Sequence, residues 1–317
     1  MSQIKNVNQI VATGSVDGVL TTAALLRLIG ETNVGVEFTQ AFEVVKLDPI
    51  KWEPNRNVAF VDLAVNNQDH AMTAAFVAKI RDAGHKIVAV IDEHSREDWF
   101  EILGKFDGLI VEPVSQAFGD IKSSGALMKS RLGDLLDAHG VELVDSAEAG
   151  DRMNFATHFG AIANQAVKSN IGDNTRRVHL AYHLAFNREP DEKIQSWVAE
   201  YNEILKNHKA ILAAKMDLGD GIVRVDATGQ SVDVTSLMAG LYKSGAVVVV
   251  LIGEAFNKAE GRKTVQASFG TSDKNLDLLT CVKEASIPMI GGFAQKVNVA
   301  LEQESSATEV IRKLLKS

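Results

Sequence analysis

Lys86-Ile87-Val88-Ala89-Val90-Ile91-Asp92-Glu93-His94 is an apolar, largely β-branched run that ends abruptly in charge. It is too short for an independent helix and lacks the alternation of a half-exposed strand, so Lys86–Ile91 reads as a strand buried on both faces. Working outward, Asn57–Leu63 (NVAFVDL) repeats the design and closes on Asp62, with His70–Ala83 between the two reading as a helix. Further upstream, Ile10-Val11-Ala12 reads as another buried strand. It is followed by a glycine-bearing turn and then by Leu20–Ile29, which has helical spacing. Downstream, Gly108–Val111 (GLIV) reads as a fourth strand and Ser123–His139 as one long helix. Apolar strands alternating with helices predict an α/β domain with a parallel sheet and helices on both faces.

Beyond this domain, Arg176–Met216 reads as helical, broken only at Asn187–Pro190. Gly221–Asp226, Ala246–Ile252 and Thr264–Phe269 then read as strands, with helices at Ser236–Lys243 and Leu276–Glu284. The expected organisation is an N-terminal domain over 1–185, a helical connector over 186–216 and a smaller α/β domain over 217–317.

The chain has 317 residues, 46% of them hydrophobic, enough for two cores. A formal net charge of −8 argues against a long nucleic-acid footprint, though not against a small anionic ligand screened by a metal. Cys281 is the single cysteine, so no intrachain disulfide is available; in its apolar helix it reads as a buried structural thiol. The N-terminus lacks the layout of a signal peptide, and the longest apolar run, Ala246–Ile252, is too short to span a bilayer. These features lead to the expectation of a soluble, cytoplasmic protein with no membrane partner.

Acidic residues close three predicted strands: Asp17 within Thr13-Gly14-Ser15-Val16-Asp17-Gly18, Asp62, and Asp92 with Glu93 and His94 directly after it. Ligands of open α/β sheets bind outside the carboxyl ends of the strands. Carboxylates gathered there repel one another unless protons or a cation intervene, and hard oxygen donors suit Mg²⁺ or Mn²⁺. Any one of these aspartates alone reads more readily as a helix N-cap or loop residue.

These motifs resemble those of the DHH phosphoesterase superfamily, in degenerate form, over nearly the whole chain. The first motif of that superfamily, His-x-Asp-x-Asp-Gly, corresponds to Thr13–Gly18. The strand-ending Asp corresponds to Asp62, Asp-His-His to Asp92-Glu93-His94, and the Asp after a helix to Asp151. Ser123-Ser124-Gly125-Ala126 resembles the segment opening a later helix. In the associated C-terminal module, Phe269-Gly270 and Gly291-Gly292-Phe293 stand where the superfamily has its Arg and its glycine-rich His segment. The resemblance implies a metal held by Asp17, Asp62, Glu93 and Asp151, one Mn²⁺ or Mg²⁺. The second metal would be lost, because Thr13 and Ser15 replace a His and an Asp ligand. It further implies that His94 contacts substrate phosphate with Asp92 orienting it, these two being the candidate catalytic residues. Gly291, Gly292 and Lys296 are the candidate substrate-binding residues of the second domain.

The function expected from this resemblance is metal-dependent hydrolysis of a small nucleotide or short oligonucleotide phosphodiester, with reduced activity. The alternative is an inactive descendant that binds nucleotide or serves in assembly, where a homo-oligomer is possible. His179 and His183, four apart on a helix but lacking the Glu of a zinc-protease motif, read as packing or surface residues. Arg176-Arg177 reads as a solvated charged face.

Overall fold

The computed structural model describes residues 4–30, 33–115, 119, 121–257, 260 and 262–316. It divides into two compact units, Met1–Tyr201 and Asn202–Ser317.

The first unit is built on a four-stranded, wholly parallel sheet: β1 (Gln9–Thr13), β2 (Gly35–Thr39), β3 (Asn57–Val61) and β4 (Lys86–Ile91), in the order β2-β1-β3-β4. Alternate residues of each strand enter different cores, as the two-residue pleat requires. Ile10, Ala12, Ala59, Val61, Ala89 and Ile91 pack under α1 (Val16–Ile29), α4 (Ser124–Leu132), α5 (Ala138–Asp151), α6 (His158–Ser169) and α7 (Asn174–Phe186). Val11, Val58, Phe60 and Val90 face the other way, toward Phe76 and Ile80 of α2 (His70–Asp82) and Trp99 of α3 (Arg96–Leu103). The expected parallel sheet with helices on both faces is what the chain forms.

Three local expectations are corrected. Gly108–Val111 forms no regular strand; Ile110 and Val111 instead exchange single backbone hydrogen bonds with Val88 and Val90, and Val114 donates to Asp92 O at 2.8 Å. Ser123–His139 is not one helix: α4 stops at Leu132, and Asp137 caps a new helix, α5, by accepting from Gly140 N at 2.9 Å. The helix after β1 begins at Val16 rather than Leu20, with Ser15 as its N-cap, so Asp17 lies in its first turn and not in the preceding loop.

α8 (Glu192–Ala213) runs across the division between the units. The second unit holds a mixed six-stranded sheet, β5-β6-β7-β8-β10-β9, from β5 (Met216–Asp217), β6 (Ile222–Asp226), β7 (Val248–Asn257), β8 (Arg262–Thr271), β9 (Met289–Phe293) and β10 (Lys296–Ala300). Its β6–β7 pair is parallel, the others antiparallel. Val248, Val250 and Phe269 pack with α10 (Leu278–Glu284) and α11 (Glu304–Leu314); Val249 and Leu251 pack with α9 (Val234–Lys243). Cys281, expected to be buried, is half-buried.

Candidate active site at the strand ends

Asp17, Asp62, Asp92 and Glu93 are all buried, and the structure brings them together in two overlapping groups. Ligand-capable atoms of Asp62, Asp92, Glu93 and His94 lie within 4.8 Å of one another, as do those of Asp17, Glu93 and Asp151. Glu93 belongs to both.

Each carboxylate has a different set of partners. Asp17 Oδ1 accepts from Thr21 Oγ1 at 2.9 Å and Gly125 N at 3.0 Å; its Oδ2 accepts from Ser124 N at 2.8 Å and Ser124 Oγ at 2.9 Å. A carboxylate has about four lone-pair sites, so these four donors fill Asp17. Ser123 Oγ takes Ala126 N, and Asp17 takes the two preceding amides, so three of the otherwise orphaned donors opening α4 are satisfied. Such an approach leaves no room for a side chain at Gly125, where a Cβ would stand 2.7 Å from Ala147 Cβ and 2.8 Å from Val144 O.

Asp62 follows β3 in the left-handed region, at φ 52°, held there by its N–H to Ile91 O at 2.9 Å. Asp is among the residues that tolerate this conformation, and it marks functional turns. Asp62 Oδ2 accepts a hydrogen bond from Ser15 Oγ. Asp92 accepts from Trp99 Nε1 at 2.7 Å and from His94 Nδ1 at 2.7 Å. That hydrogen bond, with the nearby carboxylates, raises the His94 imidazole to about 9, so the ring is a cation at neutral pH. Its side chain is 42% exposed and lines a cleft of about 300 Å³ with Asn67, Ser95 and Ser115.

Burial raises the pKa of Asp17. Burial, with Asp17 and Glu93 nearby, raises Asp62 well above the ordinary range. Burial, then the charges of Asp17 and Asp92, pushes Glu93 up to about 9. Glu93 Oε2 is also a buried oxygen with no hydrogen-bond partner among the described residues. An all-oxygen donor set with one unpartnered carboxylate oxygen fits a hard dication; Asp17, Glu93 and Asp151 form such a set, with Asp17 already accepting four protein hydrogen bonds. Asp151, the last residue of α5, is exposed and shares its group with Glu93 but not with Asp62.

Gly291, Gly292 and Lys296 lie in the second unit. Gly292 sits in the β9–β10 hairpin, where a Cβ would meet Lys296 O at 2.3 Å. Lys296 lines a concavity of about 550 Å³ with Lys263, Ser268 and Asn298. One correction concerns Arg177, which the sequence reading places on a solvated charged face. Far from being solvated, it is buried, and its Nε donates to Gly14 O at 2.8 Å, holding the turn that presents Ser15. Its position on the stripe Arg177-Leu180-Ala181-Leu184, the buried face of α7, is the signal that marks it.

A parallel α/β unit with carboxylates at its strand ends, followed by a mixed-sheet unit, defines the class of the protein. This is the fold of the DHH-domain proteins. A pGpG-specific phosphodiesterase, PggH from Vibrio cholerae, superposes with a TM-score of 0.64 at 13% identity, over 97% of this chain and 98% of that one. The DHH domain of a member of the s1p family of ribosomal proteins gives 0.58 at 12%, over 99% and 88%. RecJ from Thermus thermophilus, in complex with Mn²⁺, gives 0.56 at 12%, over 97% of this chain and 52% of that one. No protein-family model and no curated protein sequence matches the chain.

Proposed function

We propose that the chain is a divalent-metal-dependent phosphoesterase acting on a small nucleotide or short oligonucleotide phosphodiester, with one cation and at a reduced rate. The observation that carries this reading is Glu93 Oε2, a buried acceptor without a donor among the described residues, next to Asp62 and within reach of Asp151. Glu93 and Asp62 would hold the cation, with Asp151 within reach of Glu93. When bound, a divalent cation supplies Lewis-acid polarisation of a phosphoryl oxygen and lowers the pKa of water. His94, protonated and half-exposed, offers Nε2–H to a phosphate oxygen in the cleft. Asp92 is a positioning residue: fixed by Trp99, it sets the ring's orientation and keeps its charge. Ser15 in place of an acidic ligand leaves a hydroxyl that donates to Asp62, which favours one cation over two.

A second reading, a nucleotide-binding fold without turnover, is favoured by the saturation of Asp17. A Mn²⁺-supplemented assay on a panel of linear dinucleotides separates the two. Slow, Mn²⁺-dependent release of mononucleotide is expected, falling by more than about tenfold in Asp62→Ala and in Glu93→Gln. Turnover indifferent to both substitutions, or no turnover together with no Mn²⁺ uptake by calorimetry, would overturn the first reading.

A further inference from the structure

The turn joining α7 to α8 gathers two imidazoles and a carboxylate that the proposed phosphoesterase chemistry does not use. His179 and His183 are one helical turn apart, with rings nearly parallel (12°) and centroids 6.1 Å apart. Asp191 Oδ2 lies 2.7 Å from His179 Nε2 and 3.5 Å from His183 Nδ1.

The surrounding contacts fix this arrangement. Asp191 Oδ1 is turned away to cap α8, accepting from Ile194 N at 2.9 Å. His183 Nε2 is 2.7 Å from Glu189 O. A carbonyl only accepts, so Nε2 carries the hydrogen, and in the neutral ring Nδ1 then points a lone pair at Asp191 Oδ2. Two acceptors face each other there, an arrangement relieved by a proton or a cation. Trp197 packs edge-on against His179, with centroids 5.5 Å apart. The side chains of His179, His183 and Asp191 remain 33%, 16% and 32% exposed, so an ion reaches them from solvent.

We infer that His179, His183 and Asp191 form a second metal site, selective for a borderline transition-metal dication of the zinc class rather than for Mg²⁺ or Mn²⁺. Two imidazoles and one carboxylate are the donor set that such ions prefer. Ligand atoms about 2.0–2.1 Å from a tetrahedral zinc stand about 3.3 Å apart, and the observed 2.7 and 3.5 Å bracket that spacing. The ion takes the place of the hydrogen between His179 Nε2 and Asp191 Oδ2, that hydrogen moving to the ring's Nδ1 or to solvent. The Nε2–H to Glu189 O contact already orients His183 as a ligating imidazole usually is. Water completes the coordination. The bound ion clips the end of α7 to the start of α8 and stabilises the fold by mass action.

Zn²⁺ titration by calorimetry, with Co²⁺ absorption as a second readout, tests this on the full chain. The expected result is one Zn²⁺ equivalent that persists in Glu93→Gln and is lost, or weakened more than about tenfold, in His183→Ala and in Asp191→Asn. The Mn²⁺ response is expected to stay the same in the last two. Asparagine is as good an N-cap as aspartate, so Asp191→Asn preserves the start of α8 if His183→Ala loosens the turn. Zn²⁺ uptake of unchanged stoichiometry and affinity in both variants, or no uptake by the unsubstituted chain, would overturn the site.

Discussion

Glu93 carries its carboxyl group where water does not reach, crowded by the carboxylates of Asp17 and Asp92, with the His94 ring 3.7 Å from its Oε1. Its folded-state pKa near 9 lies above the ordinary value of 4.5, so between those values the metal-free folded protein keeps a proton that the unfolded chain releases. More protons bound in the native state means that stability falls as pH rises, by up to about 1.4 kcal/mol per pH unit for this group. With chelator present, the urea midpoint is expected to drop from about pH 5 toward about pH 9, and to drop less steeply in Glu93→Gln. Added Mn²⁺ is expected to reverse the trend, since ligation requires the deprotonated form. The same slope in both proteins would mean that Glu93 is not the titrating group. The trio Asp92-Glu93-His94 is legible in the sequence because it interrupts an apolar strand. That Asp92 turns to the Trp99 indole while Glu93 Oε2 is left without a donor among the described residues is not legible, because successive residues after a strand take directions set by tertiary packing.

At the scale of elements, α1 and α4 are fastened by one side chain. Asp17→Ala would strip two backbone amides at the start of α4 and the hydroxyls of Thr21 and Ser124 of their acceptor. The expected cost is about 2–4 kcal/mol in chemical denaturation. It is expected to be the same with Mn²⁺ and with EDTA, because the role is structural. A loss confined to the Mn²⁺-loaded protein would instead make Asp17 a ligand. The sequence pattern places an aspartate near a helix start, where a cap is the commoner reading of a single residue. The side chain caps α4, more than a hundred residues along the chain, rather than its own helix, and local spacing contains no trace of that. The same blindness joins α4 to α5 in the sequence reading, since Leu132–Asp137 carries apolar residues at helical spacing; only the capping geometry of Asp137 shows the restart.

At the scale of the molecule, the parallel sheet of the first unit was legible because β1, β3 and the C-terminal half of the other edge strand, β4, are buried and nearly free of polar residues. β2, on the edge, carries Gly35 and Glu37 and gives a weaker signal. β9 and β10 are short, with Gly291-Gly292 in one and Asn298 in the other, so their strand character comes from pairing in the sheet more than from composition. The proposed phosphoesterase chemistry rests on a single hard-cation site centred on Glu93. It is tested most directly by anomalous diffraction from crystals soaked in Mn²⁺. One peak is expected in contact with Glu93 and Asp62, on which Asp17 makes no direct bond, with its disappearance in Glu93→Gln. Two peaks at the strand ends, or none at Glu93 in well-soaked crystals, would contradict it.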